Sequence, residues 1–339
     1  MPKSVKICIL FDFVNKPFGG GNQFLKALRK YFDSVGAYEE LPQNADVILF
    51  NSHHNIPNAA SARLKNPRKR FVHRIDGPMG LYTNPGDQRD KIVYEANRLL
   101  ADATIFQSKW SRKNNYALGL GKKDLEFVIM NAPDPDTFNR TGKIAFSRDR
   151  KIRLVSTSWS SNFKRGFGIY QWLDNNLNFE KYEVTFAGNS PIKFKNVKYL
   201  EPLKSAELAK ILKNSDIFIS ASQNDPCSNS LIEAMHCGLP ALVLNSGGHP
   251  EIVRGGGEVF ETKEQIPGLI EKIVNNYELY RSKIAVATIE QIGQEYYNAV
   301  TKVCQDTKEH EFGIFKYYKL LATINLRCAI GRVSGFFNR

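Results

Sequence analysis

Asp225 and Glu233 stand eight positions apart in "DPCSNSLIEAMHCGLP", residues 225–240, with the small polar residues Ser228, Asn229 and Ser230 between them. Two uses fit this spacing. In the structural one, Ser230 and Glu233 form the Ser-x-x-Glu capping box of a helix, Gly238 takes the left-handed position after its last turn, and Pro240 stops it. In the other, Asp225 sits beside backbone N–H groups able to hold a phosphate, and Glu233 on the first turn accepts hydrogen bonds from a ribose diol. The two uses are compatible. A second group lies in "FVHRIDG", where strand alternation lets His73 face either side of a sheet, as a hydrogen-bonded structural histidine or a catalytic one. Asp76 precedes Gly77-Pro78 and suits an Asx-turn, and it also suits a carboxylate serving an acceptor at a strand's carboxyl end. Asp134-Pro135-Asp136 spells Asp-x-Asp, a pattern able to hold Mg²⁺ or Mn²⁺. Pro135 makes it read as a turn, and no metal site is expected.

The elements that position these residues follow from hydrophobic pattern. Apolar runs "VKICILFDF", "ADVILF", "RFVHRI", "TIFQS" and "EFVIM" alternate with the helical "NQFLKALRKYF" and "VYEANRLLADA". Such alternation builds a parallel sheet with helices on both faces. After the turn-rich "NRTGKIAFSRDRK" it restarts, with strands "IRLVSTS", "YEVTFAG", "DIFISAS" and "PALVLN" and helices "SAELAKILKNS" and "SNSLIEAMHC". The expected organisation is α/β, with one domain over 1–145, a second over 146–305, and a tail over 306–339. Ligands of open α/β sheets bind outside the carboxyl ends of strands, at helix N-termini. That rule selects "FVNKPFGGGNQF", "HRIDGPMG", "STSWSSNFKRG", "AGNSP", "ASQNDPCSNS" and "NSGGHPE" as the loops to watch.

Composition bounds the class. The 339 residues are 42% apolar and 24% charged, as in a soluble globular protein. The cysteines, at 8, 227, 237, 304 and 328, form no C-x-x-C pair, so neither a zinc site nor a disulfide framework is indicated and a cytoplasmic location is expected. No run reaches the ~18 apolar residues of a membrane span, and the N-terminus has no secretory pattern. Charge is uneven. Residues 1–150 hold 24 basic and 15 acidic residues, net +9; 151–311 hold 18 and 19, net −1; and 312–339 hold five basic residues and no acidic one. Nucleic acid or an anionic lipid surface would each suit two basic segments, but the aromatics form no stacking stripe between basic residues, so no nucleic acid is expected.

In order along residues 5–300, these loops resemble the retaining GT-B glycosyltransferases of family four. Asp225-x7-Glu233 with Gly-x-Pro and "SGGHPEIV" resembles that family's Glu-x7-Glu donor motif, and "FGGGNQF" its glycine-rich loop. "QSKWSRK" and "NAPDPDTF" are similar to its late first-domain and interdomain motifs, "NFKRG" to its Lys-Gly loop, and "FAGNSP" to its Gly-x-Gly-Pro loop. The resemblance implies two facing Rossmann-like domains with an interdomain cleft, and a nucleotide diphosphate sugar, UDP or GDP, as donor substrate without a cofactor. It implies that Glu233 binds the ribose, that Asp225 contacts the donor sugar, and that Ser228, Asn229, Ser230 and Gly188 line the donor side. It places Lys164 on the leaving diphosphate, and Gly20 and Gly21 where backbone approaches phosphate and acceptor. Three positions depart from the family: Asp225 is one methylene shorter than Glu; Ser158 replaces an arginine, whose charge Arg165 is placed to supply; and "RIDG" puts Asp76, with His73 three residues earlier, where a His-Gly pair is usual. The implied activity is metal-independent transfer with retention to a glycan or lipid-linked acceptor, in surface polysaccharide or glycoconjugate synthesis. A sugar-nucleotide epimerase and a nucleic-acid-binding protein are the alternatives.

The tail adds a partner. At about 100° per residue, Lys316, Lys319, Thr323 and Arg327 share one stripe, and Ile314, Tyr317, Leu321, Ile324 and Cys328 the opposite face. A basic amphipathic helix of this kind either packs back on the first domain or lies peripherally on an anionic membrane surface.

Overall fold

A computed structural model describes residues 4–14, 20–306, 308 and 311–333. Gly20 and Gly21 are therefore described, while residues 15–19 of the glycine-rich loop and 334–339 of the tail lie outside the described residues. The chain forms two compact units. The first comprises the residues up to Phe13, Leu25–Met130 and those from Glu290 onward; the second comprises Val14–Phe24 and Asn131–Ile289.

The first unit is built on β1 (Ile7–Leu10), α1 (Gly20–Ser34) from Leu25 onward, β2 (Val47–Asn51), α2 (Ile56–Lys65), β3 (Arg70–Ile75), α3 (Met79–Tyr82), α4 (Arg89–Leu100), β4 (Ala103–Phe106), α5 (Lys109–Ala117) and β5 (Leu125–Val128). All five strands are parallel, in the order β1-β2-β3-β4-β5, and an isolated bridge joins Ile7 to Tyr38. The register pairs Phe50 with His73 and Ile75 with Phe106. Strand β2 is buried at every position, as expected of parallel strands covered on both faces. Ile48, Phe50 and Phe71 pack against Ile56, Ala59 and Ala60 of α2 and against Ile92, Ala96 and Leu99 of α4.

The second unit follows as β6 (Ile152–Ser158), α6 (Phe167–Asn176), β7 (Tyr182–Gly188), β8 (Lys198–Leu200), α7 (Ser205–Lys213), β9 (Ile217–Ser220), α8 (Asn229–His236), β10 (Ala241–Leu244), α9 (His249–Val253), β11 (Gly257–Phe260), α10 (Ile266–Asn275) and α11 (Tyr277–Ser282). Its parallel strands run β11-β10-β9-β6-β7-β8. Counted from β6 this is the Rossmann order 3-2-1-4-5-6, whose direction reverses between the first and fourth strands. The reversal lies between β6 and β9, so the loops leaving these two strands flank a crevice. Leu154, Phe186, Ile219 and Leu242 fill the core with Phe167 and Tyr170 of α6 and Ile270 and Ile273 of α10.

The chain ends with α12 (Ile289–Gln305) and α13 (Ile314–Val333), and α13 packs on α2 and α4 of the first unit. Its inward face includes Tyr317, Ile324 and Cys328 of the expected one but is turned toward Leu320. Leu320 is fully buried among Tyr317, Ile324 and Cys328, whereas Ile314 is 56% exposed and Leu321 only half-buried. The buried stripe is thus rotated by roughly a third of a residue step, about 35° at 100° per residue. The helix also carries Phe315, Tyr318 and Leu326 on its exposed side, so the apolar pattern is broad and packing on α2 and α4 sets which part of it is buried. Truncating a buried leucine such as Leu320 to alanine costs about 2–5 kcal/mol.

Candidate active site

The β6–α6 loop and the β9–α8 loop carry Lys164, Arg165 and Asp225, the residues expected on the donor side, and they are knit together. The Gln223 N–H donates to the Lys164 carbonyl at 2.8 Å, and the Asn162 side chain accepts from the Lys164 N–H at 2.9 Å. Arg165 Nη1 lies 2.9 Å from Asp225 Oδ2, an ion pair spanning the reversal point of the sheet. The guanidinium thereby stands beside the shortened acidic residue. Asp225 is held from a second side, where its carbonyl accepts the Gly248 N–H at 2.8 Å. His249, one residue on, is buried, and its Nε2 lies 3.2 Å from both the Ser220 and Ser222 hydroxyls. Its Nδ1 lies 3.1 Å from the Leu244 carbonyl, and burial keeps the ring neutral by pushing its pKa down. His249 therefore braces the exit of β9. Its place in "SGGHPE" was visible, but the serines that hold it are remote in sequence from it.

Ser228, not Ser230, caps α8. The Ser228 hydroxyl accepts the Leu231 N–H at 3.4 Å, and Ser230 lies inside the first turn with its hydroxyl 3.2 Å from that of Ser228. The expected Ser230–Glu233 capping box is corrected: the helix starts earlier, and Glu233 sits two positions too far along to reach back to the cap. Gly238 does take the left-handed conformation, at φ 85°. With Ser228 as cap, the N–H groups of Asn229 and Ser230 have no partner within the helix.

Glu233 instead lines a pocket with Gln23, Phe24, Asp134, Ser205 and Asn229. Burial alone pushes its carboxyl up to about 8, with no cation offsetting the loss of solvent. Such a group gains from any ligand that offers hydroxyl donors. Asn229 is oriented by Asn131, whose Nδ2 donates to Asn229 Oδ1 at 3.0 Å. Gly20 is pressed against the same side chain, where an added Cβ would come within 2.2 Å of Asn229 Nδ2; around Gly21 the space is open. Gly188, at the end of β7 with φ 134°, meets the backbone of Ser158, so that a Cβ would lie 1.9 Å from the Ser158 carbonyl oxygen. Asp134-Pro135-Asp136 is a turn, in which Asp134 Oδ1 accepts the Asp136 N–H at 3.1 Å and the Asp134 carbonyl accepts from Thr137 and Phe138.

In the first unit, His73 and Asp76 part company. His73 is fully buried, stacked on Phe50 at 4.1 Å, with Nε2 donating to the Ser52 carbonyl at 2.9 Å and Nδ1 facing Asn97 Nδ2. Burial drives its pKa down to about 3, so it is a neutral core histidine. Asp76, by contrast, reaches the carboxyl end of β3. Its carboxylate is bound by Gln107 and by Arg74 at 3.1 Å, and its carbonyl accepts from Ser111 and Asn115. Arg74 is itself wholly buried and further tied to Asn51 and Tyr296. The sequence pattern did not single out His53 and His54, which follow β2. Their rings lie 4.2 Å apart on a turn where Ser52 and Asn55 have φ of 46° and 53°. His54 meets Phe11 at 5.3 Å, and buried His53 Nδ1 has no hydrogen-bond partner among the described residues. Burial lowers both pKa values, that of His53 to about 3. A left-handed serine beside paired histidines is the backbone signal of this turn, and no residue-type pattern announces it.

Residues 190–288 match the family described as Glycosyl transferases group 1. A probable sucrose-phosphate synthase from Thermosipho melanesiensis is 33% identical over 168 residues, covering 45% of this chain and 38% of that protein. The chain thus matches less than half the length of that relative. The structure of HepE from Anabaena in complex with UDP and glucose is similar with a TM-score of 0.62 at 16% identity, covering 89% of this chain and 97% of that one. Sucrose-phosphate synthase from Thermosynechococcus elongatus is similar with a TM-score of 0.63 at 12% identity, covering 88% and 96%. The chain therefore has the fold of the GT-B glycosyltransferases, two Rossmann-like α/β domains, and carries a glycosyl transferases group 1 segment within the second of them.

Proposed function

We propose that the protein is a retaining glycosyltransferase that moves a sugar from a UDP or GDP sugar to a glycan or lipid-linked acceptor without a metal ion. The observation that carries this reading is the reversal point of the second sheet, where Lys164, Arg165, Asp225 and the N-terminus of α8 converge, with the desolvated Glu233 on the same helix. In this reading the α8 N–H groups and Lys164 hold the diphosphate, Glu233 accepts from the ribose hydroxyls, and Asp225, fixed by Arg165, contacts the sugar. The bond from the anomeric carbon to the phosphate oxygen breaks as the acceptor oxygen attacks from the same face. The acceptor proton passes to the leaving phosphate, whose charge Lys164 and the helix N-terminus stabilise. In the first unit, Asp76 and the His53–His54 turn serve the acceptor. The setting is the synthesis of surface polysaccharide or glycoconjugate, in the cytoplasm or peripherally on a membrane.

A thermal-shift panel of UDP, GDP, ADP and their sugars tests the donor half. A ligand at 100 times its dissociation constant stabilises by about 2.7 kcal/mol. Stabilisation by one nucleotide class and its sugar is expected, and none by any of them would overturn the reading. Anomeric analysis of the product decides retention. Turnover of the donor with no acceptor present would identify an epimerase instead.

A further inference from the structure

Helix α13 has a second apolar face, directed away from the first unit. Opposite the buried Leu320 and half-buried Ile324, Phe315 is 79% exposed, Tyr318 63% and Leu326 57%, and the exposed Ala322 and Ala329 continue the stripe. At about 100° per residue these five positions fall within roughly 80° of arc. Exposed Lys319 and Arg332 border them on either side, and no acidic residue occurs anywhere in the helix. Lone apolar residues on a surface need no explanation, but an aromatic and aliphatic stripe running the length of a 20-residue helix marks an interaction surface.

We propose that this outer face of α13 lies in the interface of an anionic lipid surface, with Phe315, Tyr318 and Leu326 below the headgroups and Lys319 and Arg332 among them. The proposal rests on the membrane-side acceptor reading given above and names the residues that would make the attachment. Charge selects the occupant: a second copy seated on the same face would oppose one acid-free basic helix with another, whereas anionic headgroups neutralise it. No helix among the described residues is long and apolar enough to cross a bilayer, so α13 lies along the surface. Its inner face stays on α2 and α4, which leaves the outer one available without unfolding.

The test is co-sedimentation with vesicles of phosphatidylcholine alone and of phosphatidylcholine containing about a quarter phosphatidylglycerol, using the full chain and its Phe315→Ser/Tyr318→Ser/Leu326→Ser variant. Wild type is expected to pellet with the anionic vesicles, less so as salt rises. The triple variant is expected to bind about tenfold more weakly or worse, while its stabilisation by nucleotide is unchanged. Equal binding by variant and wild type, or no binding by wild type, overturns the proposal. A self-associating wild type that becomes monomeric in the triple variant, with neither pelleting on vesicles, would overturn it in favour of a second copy. Wild type that pellets yet gains nothing from any nucleotide would sink the donor reading and leave the lipid contact standing.

Discussion

Replacing Glu233 by Gln should stabilise the unliganded protein, and by an amount that depends on pH. Burial raises the Glu233 carboxyl from 4.5 to about 8. Below about pH 4.5 the group is protonated whether the chain is folded or not, and burying it carries no charge penalty. As pH rises from there to about 8, the unfolded chain releases the proton while the folded one keeps it, so stability falls across that window and is flat above it. A shift of this size at about 1.4 kcal/mol per unit sets a ceiling of about 5 kcal/mol. Water in the pocket reduces this, and a loss of roughly 2 kcal/mol is the working expectation. Glu233→Gln keeps the shape and cannot ionise. Urea unfolding of both proteins without ligand, between about pH 5 and about pH 9, should show the variant gaining on wild type as pH rises. A difference independent of pH would refute the argument that the half-buried carboxyl is desolvated in its pocket without a partner. The nucleotide should act in the opposite sense: ribose hydroxyls donate to the ionised form, so wild type gains affinity as pH rises towards 8, and Glu233→Gln flattens that rise and lowers transfer.

Lys164→Ala should lower transfer by roughly 10- to 100-fold with an unchanged unfolding midpoint, since a charge-assisted hydrogen bond is worth about 1.5–3 kcal/mol; steady-state rates beside thermal melts will tell, and near-normal turnover would remove the lysine from the leaving group. Arg165→Ala and Asp225→Asn should each reduce transfer, and the double variant should lose far less than the two losses combined, because the pair acts as one unit. His54→Ala should raise the KM for acceptor more than that for donor; an equal change in both would detach the histidine turn from the acceptor. Activity should persist in EDTA, and its loss with recovery on adding Mn²⁺ would return Asp134 and Asp136 to consideration as ligands.

Much of this protein was legible from local pattern. Strands such as "IRLVSTS" and "DIFISAS", the left-handed Gly238 and the Asp134 turn all depend on residues within a few positions of one another, where propensity and turn chemistry act directly. The order of loops along the chain likewise anticipated that Lys164, Arg165 and Asp225 would gather at the carboxyl ends of neighbouring strands, where ligands of open α/β sheets bind. Tertiary structure decided the rest. Which serine capped α8 depended on where the chain left β9. Sheet alternation could not choose a face for His73, and the stack on Phe50 with the bond to Ser52 did. The pairing of Arg165 with Asp225 spans 60 residues and exists because the strand order reverses between β6 and β9. Periodicity chose one apolar face for α13, through Ile314 and Leu321, and packing on α2 and α4 buried Leu320 in their place and left Phe315, Tyr318 and Leu326 outside. Periodicity ranks the faces of a single element, but only packing against another element removes one of them from water.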